Sequence, residues 1–494
     1  MGGGTHKNRR ALPLLLAVGV VVAGCGARLT PAQIAALDNG NGAASNSAGA
    51  DATATTVASS AVTGPAGAAG QSGVAAAAGG GATGRTSGAD ASGAGGGTSS
   101  VPGLAVANSV CRGPASGPGV SASEVDIGLV TTLSGPVPGL FAGALHGMQA
   151  FVAYLNSVGG VCGRKLVLKT ADDNLDASQN ASATQSLMNS VLGFVGSFSG
   201  VDQGSASVLQ SNPGVPDVGE ALSTERFNLA NNFSPSPQGI AVDLAPWMTL
   251  KQKYPDAVGH MAVLSVNQAT AQAETQAAMQ GLQSIGYKFV YQDMNIELTQ
   301  TDFSSDAQAM KAAGAQGLLF IATSSYYANV AKAMQAAGLK MALPVYNANA
   351  YDPSLIPDAG SAVNGTITYA QTAMYAGEDA GSNPMVALFD RWYQAVSGGA
   401  RPDWYAVMGF MSGMLFVDGL NAGGGITRQN LMNGLKQVTS FDAGGLQSAA
   451  NPVAKQGPGC YLIIDVVNQR FVRDPSDPAS GLNCANAPNW YRAQ

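Results

Sequence analysis

Charge is scarce in this chain. Only 11% of its 494 residues are Asp, Glu, Lys or Arg, against about 25% in an ordinary soluble domain. Lys and Arg total 24, and no basic cluster follows residue 10. A nucleic-acid binder carries a basic face, so a nucleic-acid partner is excluded. Only three His occur (His6, His146 and His260), too few for a histidine-rich metal site. No apolar run reaches the roughly 20 residues that a membrane-spanning helix requires, and no heptad repeat is sustained. A polytopic membrane protein and a coiled coil therefore do not fit. Small residues are abundant instead: there are 65 Gly. The length permits two or three domains. The formal net charge is −6.

The first 24 residues read as a signal peptide. Lys7, Arg9 and Arg10 form a charged start, and Leu12 to Ala23 is an apolar run interrupted by Pro13 and Gly19. That run is too short to span a bilayer and suits an export signal. It ends in Val22-Ala23-Gly24-Cys25. Small residues before a Cys resemble the bacterial lipobox, which implies that Cys25 is diacylated and becomes the mature amino terminus. Two acyl chains anchor stably where one is marginal. Removal of residues 1–24 takes away three positive charges and no negative ones, leaving a mature chain of −9.

Residues 25–105 read as the lipidated N-terminus followed by a tether. From residue 27 the stretch is mostly Ala, Gly, Ser and Thr, with no aromatic residue. Its only charges are Arg28, Asp38, Asp51, Arg85 and Asp90. Such a composition buries too little surface to offset its ordering entropy. A flexible chain of this length has a root-mean-square reach of roughly 50 Å.

From Glu124 onward, apolar strand-like runs alternate with helical ones. Val125–Val130 reads as a strand. Phe141, Leu145, Met148, Val152 and Leu155 then recur at the spacing of one helix face. Strands at 166–170, 191–196 and 215–219 and helices at 177–190 and 204–210 continue the series. A second series follows, with strands at 261–266, 289–294, 317–322 and 343–346. Its helices lie at 269–285, 304–313 and 326–337. Strands alternating with helices imply parallel sheets covered on both faces. Ligands of such sheets sit beyond the carboxyl ends of the strands, so function is expected in the loops that follow them.

Several segments carry a specific resemblance. Glu124–Pro136 (EVDIGLVTTLSGP), Gly159–Leu166 (GGVCGRKL) and Ala171–Asn174 (ADDN) are similar to the extracellular substrate-binding proteins of ABC transporters, in the branched-chain amino acid (type I periplasmic binding protein) family. Thr301–Ser304 with Lys311–Ala315, and the stretch Trp404–Gly425, resemble later helices of that family. The resemblance implies an α/β fold of two doubly wound parallel-sheet lobes joined by a three-crossover hinge. Lobe one is expected at 106–242 and 370–446, and lobe two at 243–369 and 447–494. The implied function is an extracytoplasmic solute-binding lipoprotein that captures a small polar molecule between two lobes and delivers it to an ABC transporter permease, held to the outer face of the membrane by its lipid anchor. It implies no enzyme and no cofactor. A ligand-sensing surface lipoprotein without transport is the alternative, and a hydrolase is the weaker one. Gly196–Gly200 and Gly409–Gly413 are both G-x-x-S-G, one residue away from the G-x-S-x-G of a nucleophile elbow.

The resemblance also directs attention to particular loops. Ser134 follows the first strand, in a turn made by Gly135 and Pro136. Phe198, Ser199 and Gly200 follow the third strand, where the family supplies donors to a ligand carboxylate. Ser223 follows the fourth; it is a ligand contact or the cap of the next helix. In lobe two the family's aromatic and acidic ligand contacts fall near Asn267, Ser324, Asn347 and Asn349, none of them an aromatic or an acid. Glu220 is the one nearby acid, and a capping role is expected of it. Tyr326, Tyr327 and Tyr346 lie near the same loops. The lining so inferred is rich in hydroxyl and amide groups with few ionisable ones, which predicts an uncharged or weakly charged polar ligand, with an acid held by loop N–H groups of lobe one as the second choice. It also predicts weak binding of leucine, isoleucine and valine.

Asp172, Asp173, Asn174 and Asp176 lack the Gly and distal Glu of a calcium loop and read as a helix entry, so no metal is expected. Export permits disulfides. Cys111 and Cys162 flank the start of lobe one, and Cys460 and Cys484 bracket the last strand. The pairing Cys111–Cys162 and Cys460–Cys484 is therefore expected among the three that four Cys allow.

Overall fold

A computed structural model describes residues 104–492. The signal peptide, Cys25 and the expected tether up to residue 103 fall outside the described residues. The last two residues expected in the tether are part of the fold instead, Leu104 being buried in the core and Ala105 O accepting from Asn421 Nδ2 at 3.0 Å. The strands are β1 (Glu124–Thr131), β2 (Lys165–Asp172), β3 (Phe194–Val195), β4 (Asp217–Val218), β5 (Asn232–Phe233), β6 (Ala241–Asp243) and β7 (Met261–Val266). They continue with β8 (Phe289–Ile296), β9 (Gly317–Ile321), β10 (Leu343–Tyr346), β11 (Ile367–Ala370), β12 (Leu462–Val467), β13 (Arg470–Arg473) and β14 (Trp490–Arg492). The helices are α1 (Ala142–Ser157), α2 (Ala177–Met188), α3 (Gln203–Gln210), α4 (Thr224–Phe227), α5 (Ala245–Lys253) and α6 (Ala269–Ser284). After them come α7 (Ser304–Ala312), α8 (Ser324–Ala336), α9 (Leu355–Ala359), α10 (Pro384–Val396), α11 (Trp404–Gly423) and α12 (Arg428–Leu435).

Five strands form a parallel sheet in the order β2-β1-β3-β4-β5. Seven form a second sheet, β13-β12-β11-β10-β9-β7-β8, parallel from β8 to β11 and extended by the antiparallel hairpin β12–β13. The alternation of apolar strands and helices thus produces two doubly wound lobes. The expected strand over 191–196 contributes only two residues to its ladder. Its remaining apolar groups, Val191 and Leu192, are buried against neighbouring elements instead.

The chain crosses between the lobes three times. It leaves the five-stranded sheet after β5 and returns after β11 to lay α10, α11 and α12 against α1 and the first sheet. It then crosses again before β12. Residues of the crossovers are tied together: Ala373 N–H donates to Leu446 O at 2.7 Å, and Gln447 Nε2 donates to Pro235 O at 2.6 Å. The last strand, β14, pairs antiparallel with β6 on the first crossover.

α11 is the centre of lobe one. Its residues are buried on every face except near its C-terminal end, and α1 packs on it through glycines. A methyl group on Gly147 would lie 1.9 Å from the Ala406 carbonyl oxygen, and one on Gly409 would lie 2.3 Å from that of Ala144. The near-miss nucleophile sequence Gly409–Gly413 is therefore a helix-packing surface. His146 sits on α1 against the Tyr393 ring, and burial pulls its imidazole down. Asp176 caps α2 by accepting the Gln179 N–H at 2.9 Å.

Both expected disulfides are present, Cys111–Cys162 and Cys460–Cys484. They close loops with sequence separations of 51 and 24 residues. Loop-closure entropy assigns each roughly 3–4 kcal/mol of stabilisation.

Candidate functional site

A cavity of about 170 Å³ lies between the lobes. It opens where both sheets end at the carboxyl termini of their strands, as the topology of wound sheets requires. Lobe one supplies Phe141 after β1, Leu175 after β2, Phe198 and Gly200 after β3, and Glu220 and Leu222 after β4. Lobe two supplies Gln268 and Glu274 after β7, Leu298 after β8, Tyr326 after β9, and Asn347 and Asn349 after β10. Tyr369 and Gln371 lie at the end of β11, and Trp404 and Tyr405 open α11. The lobes touch at one edge of the cavity, where Gln268 Nε2 and the Thr270 hydroxyl both donate to the Gly200 carbonyl.

Of the residues expected at the site, Phe198, Gly200, Asn347 and Asn349 line the cavity. Asn349 is oriented by its amide, which donates to Ala322 O at 3.0 Å, and Asn347 Oδ1 accepts from the Tyr327 hydroxyl. The other five do not line it, because each is already engaged. The Ser134 hydroxyl donates to Asp172 in an exposed turn. Ser199 Oγ is buried and accepts the Val201 N–H at 3.1 Å. Ser223 caps α4, accepting the Arg226 N–H at 3.3 Å. Asn267 is exposed and accepts from Gln272. Ser324 bonds Ser354 at 3.1 Å in the first turn of α8.

Two expectations about chemistry are corrected. Glu220 is not a helix cap: Ser223 takes that position, and Glu220 is a wall of the cavity, 2% exposed. The lining is also not mainly hydroxyl and amide. Phe141, Phe198, Trp404 and Tyr405 form one aromatic wall, with Phe141 4.8 Å from Tyr405 and Phe198 5.8 Å from Trp404 between ring centroids. Leu140, Leu175, Leu222, Val266, Leu298 and Ile321 extend the apolar surface. Tyr326 joins them with its hydroxyl donating to Leu298 O, whereas Tyr327 and Tyr346 stack on each other at 4.6 Å in the core behind.

Two carboxyl groups enter this apolar surround from opposite lobes. Burial pushes Glu220 up to about 7, although the Ser234 hydroxyl and the Gln238 N–H donate to it and Arg226 lies nearby. Glu274 is pushed up to about 8, first by burial and then by the negative charges of Glu220 and Asp202. Beneath Glu220, the buried Arg226 forks onto Asp217 through two bonds of 2.9 and 2.8 Å and approaches Asp202 at 3.5 Å. Charge-assisted bidentate pairs of this kind fix geometry strongly. Arg226 also donates to the Glu220 carbonyl at 3.0 Å, which anchors the loop that presents Glu220. Among the described residues, no Lys, Arg or His lines the cavity.

A family model described as "Periplasmic binding protein" matches residues 124–470. Among curated proteins, the Leu/Ile/Val-binding protein homolog 2 of Brucella abortus (strain 2308) is 24% identical over 330 residues, covering 65% of this chain and 85% of that protein. Among solved structures, the fatty acid ABC transporter substrate-binding protein from Thermomonospora curvata superposes with a TM-score of 0.62 at 17% identity, over 75% of this chain and 95% of its own. A solute-binding protein from R. palustris, solved in complex with benzoate, gives 0.58 at 17% identity, over 74% and 98%. These structural likenesses are of fold, and the family match runs from β1 to the start of β13: the chain belongs to the periplasmic binding protein family.

Proposed function

We propose that this protein is an extracytoplasmic solute-binding lipoprotein that captures one small molecule between its lobes and delivers it to an ABC importer. The observation that carries the reading is the cavity itself, walled by the loops after the parallel strands of both lobes. A ligand touching both walls favours the closed arrangement by its differential contacts with it. The bodies that move are lobe one (106–242 and 370–446) and lobe two (243–369 and 447–494), and a permease reads the closed form. Phe198, Gly200, Asn347 and Asn349 contact the ligand, joined by Glu220, Glu274, Trp404 and Tyr405. Cys25 carries the lipid anchor, and residues 25–103 act as the tether that lifts the lobes from the membrane.

The relatives named above bear on the ligand only by contrast. The apolar walls suit the hydrocarbon part of such ligands, but two carboxyl groups and the lack of a lining cation disfavour a free carboxylate. Leucine, isoleucine and valine are therefore expected to bind weakly. Two measurements test the reading. Cys25→Ala should be released from the membrane fraction or left unprocessed; normal processing with continued membrane attachment defeats the anchor. Scanning fluorimetry against a broad metabolite panel should show at least one solute that raises the melting temperature, since a ligand specific for the native state stabilises it.

A further inference from the structure

The charges around the cavity do not balance. Asp202, Asp217, Glu220 and Glu274 face three bases: Arg226, Lys455 and Arg492. All three bases act on Glu220. Asp202 is held by Arg226 and by the backbone N–H groups of Leu222 and Ser223, at 2.8 and 2.9 Å. Asp217 is held by Arg226, and Glu220 by Ser234. Glu274 lies in the second turn of α6, on the cavity side. The groups that act on it or feel it are Glu220, Asp202, Tyr369 and Tyr405, and none is a cation. One half-buried carboxyl group thus lines an apolar cavity without a compensating partner among the described residues. A ligand that closes over it would bury its charge, which is costly unless something pairs with it.

The surrounding surface says what would pair with it. Phe198 and Tyr405 each lie within 6 Å, centroid to centroid, of the other three rings of the set Phe141, Phe198, Trp404 and Tyr405. Aromatic faces attract cations as well as apolar groups. The volume, about 170 Å³, slightly exceeds the roughly 150 Å³ cavity that accommodates benzene. We infer that the cavity takes a small monocationic amine with an apolar body, its ammonium placed at Glu274 and its hydrocarbon part against the aromatic wall. This rests on the capture reading above and narrows it to a ligand class. It also accords with the absence of Lys, Arg and His from the lining among the described residues.

The probes are three compounds of one shape and different charge: 2-phenylethylamine, 2-phenylethanol and 3-phenylpropanoate. Calorimetry on the full-length protein at pH 8.5 should give the amine at least tenfold higher affinity than either of the others. Glu274→Gln should weaken the amine tenfold or more and leave the alcohol within about threefold. Lowering the pH to 6 should weaken the amine, because Glu274 must be ionised to pair, and should leave the alcohol unchanged. Glu220→Gln serves as the second variant and should weaken the amine less than Glu274→Gln does. Equal or tighter binding of the alcohol or the carboxylate overturns the amine assignment, as does amine binding that survives Glu274→Gln. If all three probes are silent while another neutral or acidic solute binds, the amine assignment fails and solute capture stands. If a broad panel is silent as well, capture itself fails.

Discussion

Glu274 and Glu220 set how the empty protein responds to pH. Both carboxyl groups hold their protons to about 8 and about 7 in the folded state, and to roughly 4.3 when unfolded. Between those limits the folded state binds more protons, so stability falls as pH rises from about 5 to about 8. Asp403, pushed up to about 7 by burial, acts in the same direction. Lys455, pulled down to about 8 by burial, changes charge at the upper end of that window. Melts at pH 5 and pH 8 should therefore differ, with the higher melting temperature at pH 5. Glu274→Gln should match the parent at pH 5 and exceed it at pH 8; identical profiles would sink this account. Half of the candidate site was legible in the residues beforehand. Phe198, Gly200, Asn347 and Asn349 stand in loops after strands, where topology points. Glu274 was not legible, because a lone acid in the polar sequence ATAQAETQ looks like any solvated helix position. Trp404 and Tyr405 open a helix whose apolar residues all resemble core. Ser134, Ser199 and Ser223 had the right chemistry in the right loops, and local turns and caps claimed their hydroxyls.

At the scale of elements, the pairing of α1 with α11 decides how lobe one is built and where Trp404 and Tyr405 sit. Backbone touches backbone at Gly147 and Gly409. Gly409→Ala must push the helices apart, and overpacking of this sort costs roughly 1–3 kcal/mol. Gly214→Ala is the matched control. Its added methyl group meets nothing within 4 Å, and its backbone is not left-handed, so it should be neutral or slightly stabilising. Guanidinium denaturation midpoints of the two variants distinguish them, and equal midpoints would refute the close-contact argument. Most long elements were readable from periodicity, since β1, α1, β7 and α6 each bury a continuous apolar run or face. β3, β4 and β5 were harder to delimit because each contributes only two ladder residues. The β12–β13 hairpin falls between Cys460 and Cys484, where a single strand was expected; the turn at Asn468-Gln469 reverses the chain through two left-handed residues.

For the whole molecule, β14 acts as a clasp on the crossovers. Trp490 Nε1 donates to Pro458 O at 3.2 Å, and Arg492 donates to Gln238 O at 2.8 Å and to Lys455 O at 2.9 Å. The first and third crossovers are thereby laced to one strand. Removing residues 490–494 should lower the melting temperature and enlarge the radius of gyration of the empty protein in small-angle scattering; an unchanged radius would show that the clasp does not restrain the lobes. The two-lobed plan was visible from the order of strands and helices, whereas the clasp was not, since three residues near the end of a chain carry no periodicity. The glycines of α11 have one more effect under the export reading. An exported chain passes a translocation channel unfolded, and its most apolar segment is the one at risk of leaving sideways into lipid. Gly409, Gly413, Gly419 and Gly423, with Ser412 and Asp418, dilute α11, and no helix among the described residues is long and apolar enough to cross a membrane. Residues that bring two helices into contact after folding also keep this segment from stopping in transit.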